Sequence, residues 1–147
     1  MPNEPQPRET PLFTVVTAII QRGGRVLICQ RRKDDAFGLK WEFPGGKVLL
    51  GEAPAAALAR ELKEELGVQT RIGAEVWRTR HNYSEHAREI ELLFFTAQLE
   101  SVEVRNLAFE RIVWEEFGKL PSYDFLAADR DIVERVAKGE INLEGET

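Results

Sequence analysis

The stretch GGKVLLGEAPAAALARELKEELGV, Gly45 to Val68, limits what this chain can fold into more than any other. Its second half predicts a short helix from Pro54 to Leu66. Pro54 suits a first helical position, alanines and leucines fill the interior, and Gly67 stands where a left-handed C-terminal cap belongs. Ahead of it, Gly45 and Gly46 predict a tight turn in which the backbone can approach a neighbouring group closely. At about 100° per residue with Glu61 at zero, Glu64 falls near about −60° and Glu65 near about +40°, so three carboxylates share an arc of about 100°. Ala55, Leu58, Ala59, Leu62 and Leu66 cluster between about 60° and about 160°, a core stripe that the acidic arc borders.

Like charges at this spacing destabilise a helix by roughly 0.2–0.5 kcal/mol per pair. Arg60 lies four residues before Glu64 and can pair with it, but an exposed pair contributes only a few tenths of a kcal/mol. Lys63 points away. Two readings of the cluster stand at this point. It is either a solvated Glu/Lys face or a cradle for a hard divalent cation, Mg²⁺ or Mn²⁺, which gathered carboxylate oxygens suit.

The rest of the chain supplies strands. LFTVVTAIIQ (Leu12–Gln21) is β-branched and apolar, RGG turns the chain, and RVLICQRR (Arg25–Arg32) completes a hairpin. KDDAFGLK is a loop, and WEFPGGK (Trp41–Lys47) a short strand entering the glycine turn. Two further strands follow the helix, the second carrying Ile90, Leu92 and Phe94 on one face. FERIVWEEF (Phe109–Phe117) predicts another strand, and AADRDIVERVAKG a closing amphipathic helix. The first eleven residues hold four prolines and read as a mobile tail, and 140–147 as a frayed one, leaving one α/β domain over 12–139.

Composition narrows the function. A net charge of −5 argues against broad, sequence-independent nucleic-acid binding, which needs excess Lys and Arg. A single cysteine, Cys29, excludes an internal disulfide and fits a reducing compartment. With no apolar run of about 18 residues and no secretory pattern, neither a membrane span nor a membrane partner is expected, and the chain reads as cytoplasmic.

Gly46, then Glu52 after five residues, then Arg60-Glu61-Leu62-Lys63-Glu64-Glu65-Leu66-Gly67-Val68 after seven more, resembles a complete Nudix box. Matching all its fixed residues by chance has a probability on the order of 10⁻⁷, at ordinary residue frequencies. The resemblance implies the Nudix fold, an α/β/α sandwich with a mixed β-sheet and a loop–helix–loop. It also implies hydrolysis of a nucleoside diphosphate linked to another group. By the same resemblance Glu61, Glu64 and Glu65 bind the divalent metals, with Gly45 beside them. One glutamate helps deprotonate the attacking water, Glu52 supports the site, and Arg60 orients a glutamate. Physical chemistry agrees, because water at neutral pH is a poor nucleophile toward an anionic phosphoryl group unless a cation assists.

RR…EFPGGK ahead of the box resembles the MutT branch, whose members convert nucleoside triphosphates to monophosphate plus pyrophosphate. That likeness assigns Arg32, Gly46 and Lys47 to the substrate. Phe43 is open to stacking on the base or to filling the core. Arg88 is open to a ligand contact or to a solvated strand position. Asp129 matches the residue that reads the base, with a helix N-cap as the alternative. As an ionised carboxylate it would only accept hydrogen bonds, favouring exocyclic amino groups or the donor edge of guanine. The substrate is thus open between 8-oxo-dGTP and cytidine-type nucleotides. Where the branch carries a further glutamate this chain has Ala108, and Glu110, two residues on, is expected on the same side of an extended segment as a substitute metal ligand. Tyr83, about fifteen residues past the box, keeps a dinucleoside-polyphosphate hydrolase open. A catalytically silent nucleotide sensor is the reading from another class. Whether the chain is a monomer or a homodimer is left open.

Overall fold

The computed structural model describes residues 12–83 and 88–143, with Leu12, Tyr83 and Arg88 described in backbone only. The predicted tail at 1–11, the last residues of the second tail and residues 84–87 lie outside them. The described residues form seven strands: β1 (Leu12–Arg22), β2 (Arg25–Gln30), β3 (Trp41–Glu42), β4 (Gly45–Lys47), β5 (Thr70–Tyr83), β6 (Arg88–Leu99) and β7 (Arg111–Glu116). Two helices, α1 (Pro54–Leu66) and α2 (Arg130–Ala137), flank them, and 3₁₀ turns occupy Phe117–Ser122 and Ala127–Asp129.

β1 organises the sheet. It runs parallel to β6 from Leu12↔Glu89 to Ile20↔Ala97, and antiparallel to β4 at Val15↔Lys47, Val16↔Gly46 and Thr17↔Gly45. β5 pairs antiparallel with β6. At its far end β1 turns into β2, which carries β3 on one edge and β7 on the other. The sheet is mixed, as expected.

Both of its faces are covered, which is why its strands read as near-continuous apolar runs. Alternation sorts them. Val16, Ala18, Ile20, Leu27, Cys29, Leu93 and Ala97 join Leu58, Leu62 and Leu66 of α1 in one cluster. Ile19, Val26, Ile28, Leu92 and Phe94 join Ile132, Val133 and Val136 of α2 in the other. Ile90, Leu92 and Phe94 thus share a face as predicted. The start of the 140–147 segment is seated on this second cluster, through Ile141 and Leu143.

α1 has the predicted bounds, with Pro54 in its first turn and Gly67 left-handed at φ 65°, its N–H donating to Lys63 O at 3.0 Å. Its buried face differs from the wheel. Ala57, Leu58, Leu62 and Leu66 are buried, whereas Ala55 is exposed. Ala57 falls near about −40° on that wheel, so the buried sector runs across Glu61 and Glu65 rather than stopping beside them. β4 packs on this helix at Glu61 and Glu65, while Ala55 in the first turn is exposed.

Candidate functional site

Between the glycine turn and α1 lies a network centred on Arg60. Its Nε donates to Glu52 Oε2 at 2.8 Å and its Nη2 to Glu52 Oε1 at 3.0 Å, a bidentate pair. Nη1 donates to Glu61 Oε2 at 3.2 Å and to Glu64 Oε2 at 3.5 Å, and Nη2 to the Lys47 carbonyl at 3.2 Å. Glu52 also accepts the Leu49 N–H at 3.0 Å, and these two donors hold its carboxyl below the usual carboxylate range. One arginine therefore ties the loop before α1 to two of its three acidic side chains.

The third is different. Glu65 accepts only the Gly45 N–H, at 3.2 Å, among the bonds described for its side chain. Burial, and then the charges of Glu61 and Glu42, push its carboxyl up to about 9. Burial also raises Glu61, against Arg60. Gly46 is what brings this group in: a Cβ there would stand 2.3 Å from Glu61 Cδ, so only glycine leaves the carboxylate its place. A Cβ on Gly45 would meet the Val16 carbonyl of β1 at 1.9 Å.

Among the described residues no group of three or more His, Cys, Asp or Glu side chains forms a finished metal cage. Glu61 and Glu64 are instead turned to Arg60. The donor chemistry nevertheless fits a hard divalent cation, because the side chains gathered at the site offer carboxylate oxygens. Crowded, desolvated carboxyls that favour the proton are also what a cation would relieve.

Glu65, Gly45, Gly46 and Lys47 border a cavity of about 480 Å³ that continues between β1, β6 and the segment before α2. Arg31 and Glu42 form an ion pair in it at 3.0 Å, and Arg31 Nε reaches the Ala36 carbonyl at 2.7 Å. Asp129 lines the same cavity, is 2% exposed and makes no side-chain cap bond to α2. Burial and the nearby Glu42 hold its carboxyl well above the usual range, with Arg31 opposing. Burial thus favours the protonated form of Asp129 over the ionised, acceptor-only form expected, and a protonated carboxyl both donates and accepts.

Several expectations change here. Arg32 is exposed and does not line the cavity; its neighbour Arg31 does, turned inward to Glu42. Phe43 is 1% exposed and packs on Phe125 and Phe94 with centroids 5.5 and 6.2 Å apart, so it is core and at the same time part of the cavity wall. Glu110 is exposed, accepts the Lys33 N–H at 3.3 Å and stands apart from the cavity. The alternation used to place it fails because β7 begins only at Arg111. Ahead of that, Asn106 folds the chain into a turn, its Oδ1 accepting the Phe109 N–H at 2.8 Å. The side chains of Arg88 and Tyr83 lie outside the described residues. The cavity also contains residues that sequence reasoning missed: Thr17, Phe37 and Glu42, while Arg31, a candidate with Arg32 for a basic pocket, lines it. A charged residue between Trp41 and Phe43, and a hydroxyl inside VVTAII, were the available signals.

A family model described as NUDIX domain matches residues 11–136. A CTP pyrophosphohydrolase of Escherichia coli K12 is 44% identical over 80 residues, covering 54% of this chain and 53% of that one. A putative 8-oxo-dGTP diphosphatase 2 of Mycobacterium tuberculosis is 34% identical over 124 residues, covering 84% and 87%. Among solved structures, a MutT NUDIX hydrolase from Burkholderia pseudomallei superposes with a TM-score of 0.77 at 27% identity, covering 86% of this chain and 98% of that one.

Proposed function

We propose that this chain, which belongs to the NUDIX domain family, hydrolyses nucleoside triphosphates to monophosphate and pyrophosphate, clearing damaged or unwanted nucleotides from the cellular pool. The relatives named for CTP and 8-oxo-dGTP mark the two substrate classes in contention. What carries the reading is one cavity with Glu65 and the glycine turn on its wall together with the buried Asp129.

In this reading Glu61, Glu64 and Glu65 hold a divalent cation, Mg²⁺ with Mn²⁺ as substitute, alongside the Gly45 backbone. Bound there, the ion would neutralise phosphoryl oxygens and make water a better nucleophile. Arg60, fixed by Glu52, aims Glu61 and Glu64, and a glutamate of the cluster takes the proton from the attacking water. Lys47, on the cavity rim, meets the phosphates. Asp129 reads the base. Its neutral carboxyl, donor and acceptor side by side, matches the N4 amino group and N3 of cytosine, and equally the O6 and N1–H of an oxidised guanine. A small-molecule nucleotide is the partner, and no helix among the described residues is long and apolar enough to cross a membrane. The buried, unpaired thiol of Cys29 suits work in the cytoplasm.

The test is turnover of a panel of normal and oxidised nucleoside triphosphates and dinucleoside polyphosphates, with Mg²⁺, Mn²⁺ or chelator, scored for pyrophosphate against orthophosphate. Cation-dependent release of pyrophosphate from a triphosphate is the expected result. No cation-dependent cleavage of any compound would refute the reading, and a dinucleoside polyphosphate ranking first would replace the substrate class.

A further inference from the structure

Among the described residues three buried side-chain polar atoms lack a hydrogen-bond partner: Thr17 Oγ1, Thr70 Oγ1 and Trp77 Nε1. Only Thr17 lines the cavity. It is 6% exposed, in the middle of β1, with Gly45 of the glycine turn as its cross-strand neighbour on one side and Phe94 on the other. Val15 and Ile19, two residues away in either direction, share its face, and Val15 lines the cavity as well. An isosteric valine would continue that stripe and bury no hydroxyl. A buried hydroxyl without a protein partner opposes folding, so its place in the cavity wall calls for a ligand that completes it.

We propose that the Thr17 hydroxyl is a binding group for the substrate's base, donating to a carbonyl oxygen or ring nitrogen on its edge. The assignment rests on the reading that the cavity takes a nucleotide. The base is the part of a nucleotide that suits a buried wall of Val15, Phe43 and Leu92, while the phosphates belong with Gly46, Lys47 and Glu65 at the glycine turn. Thr17 therefore supplies a neutral O–H donor at a place where the other polar groups are the carboxyls of Glu42 and Asp129 and the engaged guanidinium of Arg31.

Thr17→Val and Thr17→Ser separate this role from packing. The measurements are steady-state kinetics on the nucleotide panel and on a ribose triphosphate lacking a base, with thermal unfolding in the absence of ligand. Thr17→Val should unfold at the same or a higher temperature. Its KM for the preferred nucleotide should rise about tenfold, with kcat within a factor of about two, the cost of leaving a base atom unpaired. The base-less compound should be unaffected, and Thr17→Ser should retain the KM of the unaltered chain. An unchanged KM in Thr17→Val, a lower unfolding temperature, or an equal loss on the base-less compound would each overturn the assignment while leaving nucleotide hydrolysis intact. If the unaltered chain turns over no nucleotide, the parent reading falls and the assignment with it.

Discussion

Replacing Glu65 with glutamine should stabilise the cation-free protein, and by an amount that grows with pH. The Glu65 carboxyl titrates near 4.5 when unfolded and is pushed up to about 9 in the fold, chiefly by burial. Below pH 4.5 it is protonated in both states and contributes no pH-dependent difference. Above that, the unfolded chain releases the proton while the folded chain retains it, so unfolding is favoured increasingly until about pH 9. Each pH unit in this window subtracts about 1.36 kcal/mol, giving a penalty of roughly 1 kcal/mol at pH 5 and roughly 3 kcal/mol at pH 7. Glutamine keeps the Oε1 acceptor for the Gly45 N–H and never ionises, so the Glu65→Gln protein escapes the penalty.

Urea unfolding in chelator at pH 5, 7 and 8 measures this directly. A change of about 3 kcal/mol moves the midpoint by roughly 1–2 M at the slopes usual for a domain of this size. Mg²⁺ with a non-hydrolysable triphosphate supplies the complementary arm. It should raise the midpoint of the unaltered protein, because a ligand that binds only the fold stabilises it, and raise that of Glu65→Gln far less. Turnover in the variant should be lost. A gain that is the same at pH 5 and pH 8, or a variant less stable than its parent at pH 8, would refute the reasoning that Glu65 is a desolvated acid awaiting a cation.

Three further contrasts follow. Gly46→Ala should lower kcat by about tenfold or more with little loss of stability, because its Cβ displaces only the end of the Glu61 side chain; Gly45→Ala should lower the unfolding temperature markedly, because its Cβ meets the Val16 backbone, and circular dichroism melts separate the two. Glu64→Gln should lower kcat at least about a hundredfold at unchanged stability, its side chain being 59% exposed, and retained turnover would remove it from the cation site. Asp129→Asn should keep the substrate ranking at pH 7, since an amide also pairs a donor with an acceptor, while Asp129→Ala reorders it; KM in the unaltered chain should worsen as pH rises through the elevated titration of Asp129 and stay flat in the Asn variant.

The acidic helix was legible in the sequence and the cavity only in part, for one physical reason. The residues from Glu52 to Gly67 sit within one loop and one helix, where periodicity alone places side chains. Pro54, Gly67 and the spacing of Glu61, Glu64 and Glu65 therefore gave the bounds of α1 and the carboxylate cluster. Even there the wheel supplied angles but not what packs on them: β4 packs on α1, with Gly46 against Glu61 and Gly45 against Glu65. The pocket is assembled by strand register. Glu42 reaches Arg31 because Cys29 pairs with Glu42 across β2 and β3, and Thr17 reaches the glycine turn because it pairs with Gly45 across β1 and β4. A one-residue slip in either pairing would turn every one of those side chains to the opposite face. Local pattern does not encode that register, which is why simple alternation misplaces Glu110, just ahead of β7. On the proposed function, catalytic competence is written in one helix, whereas the choice of base depends on pairings between strands far apart in sequence. Substitutions at Thr17, Glu42 and Asp129 should accordingly change which nucleotide is cleaved while the cluster on α1 continues to cleave it.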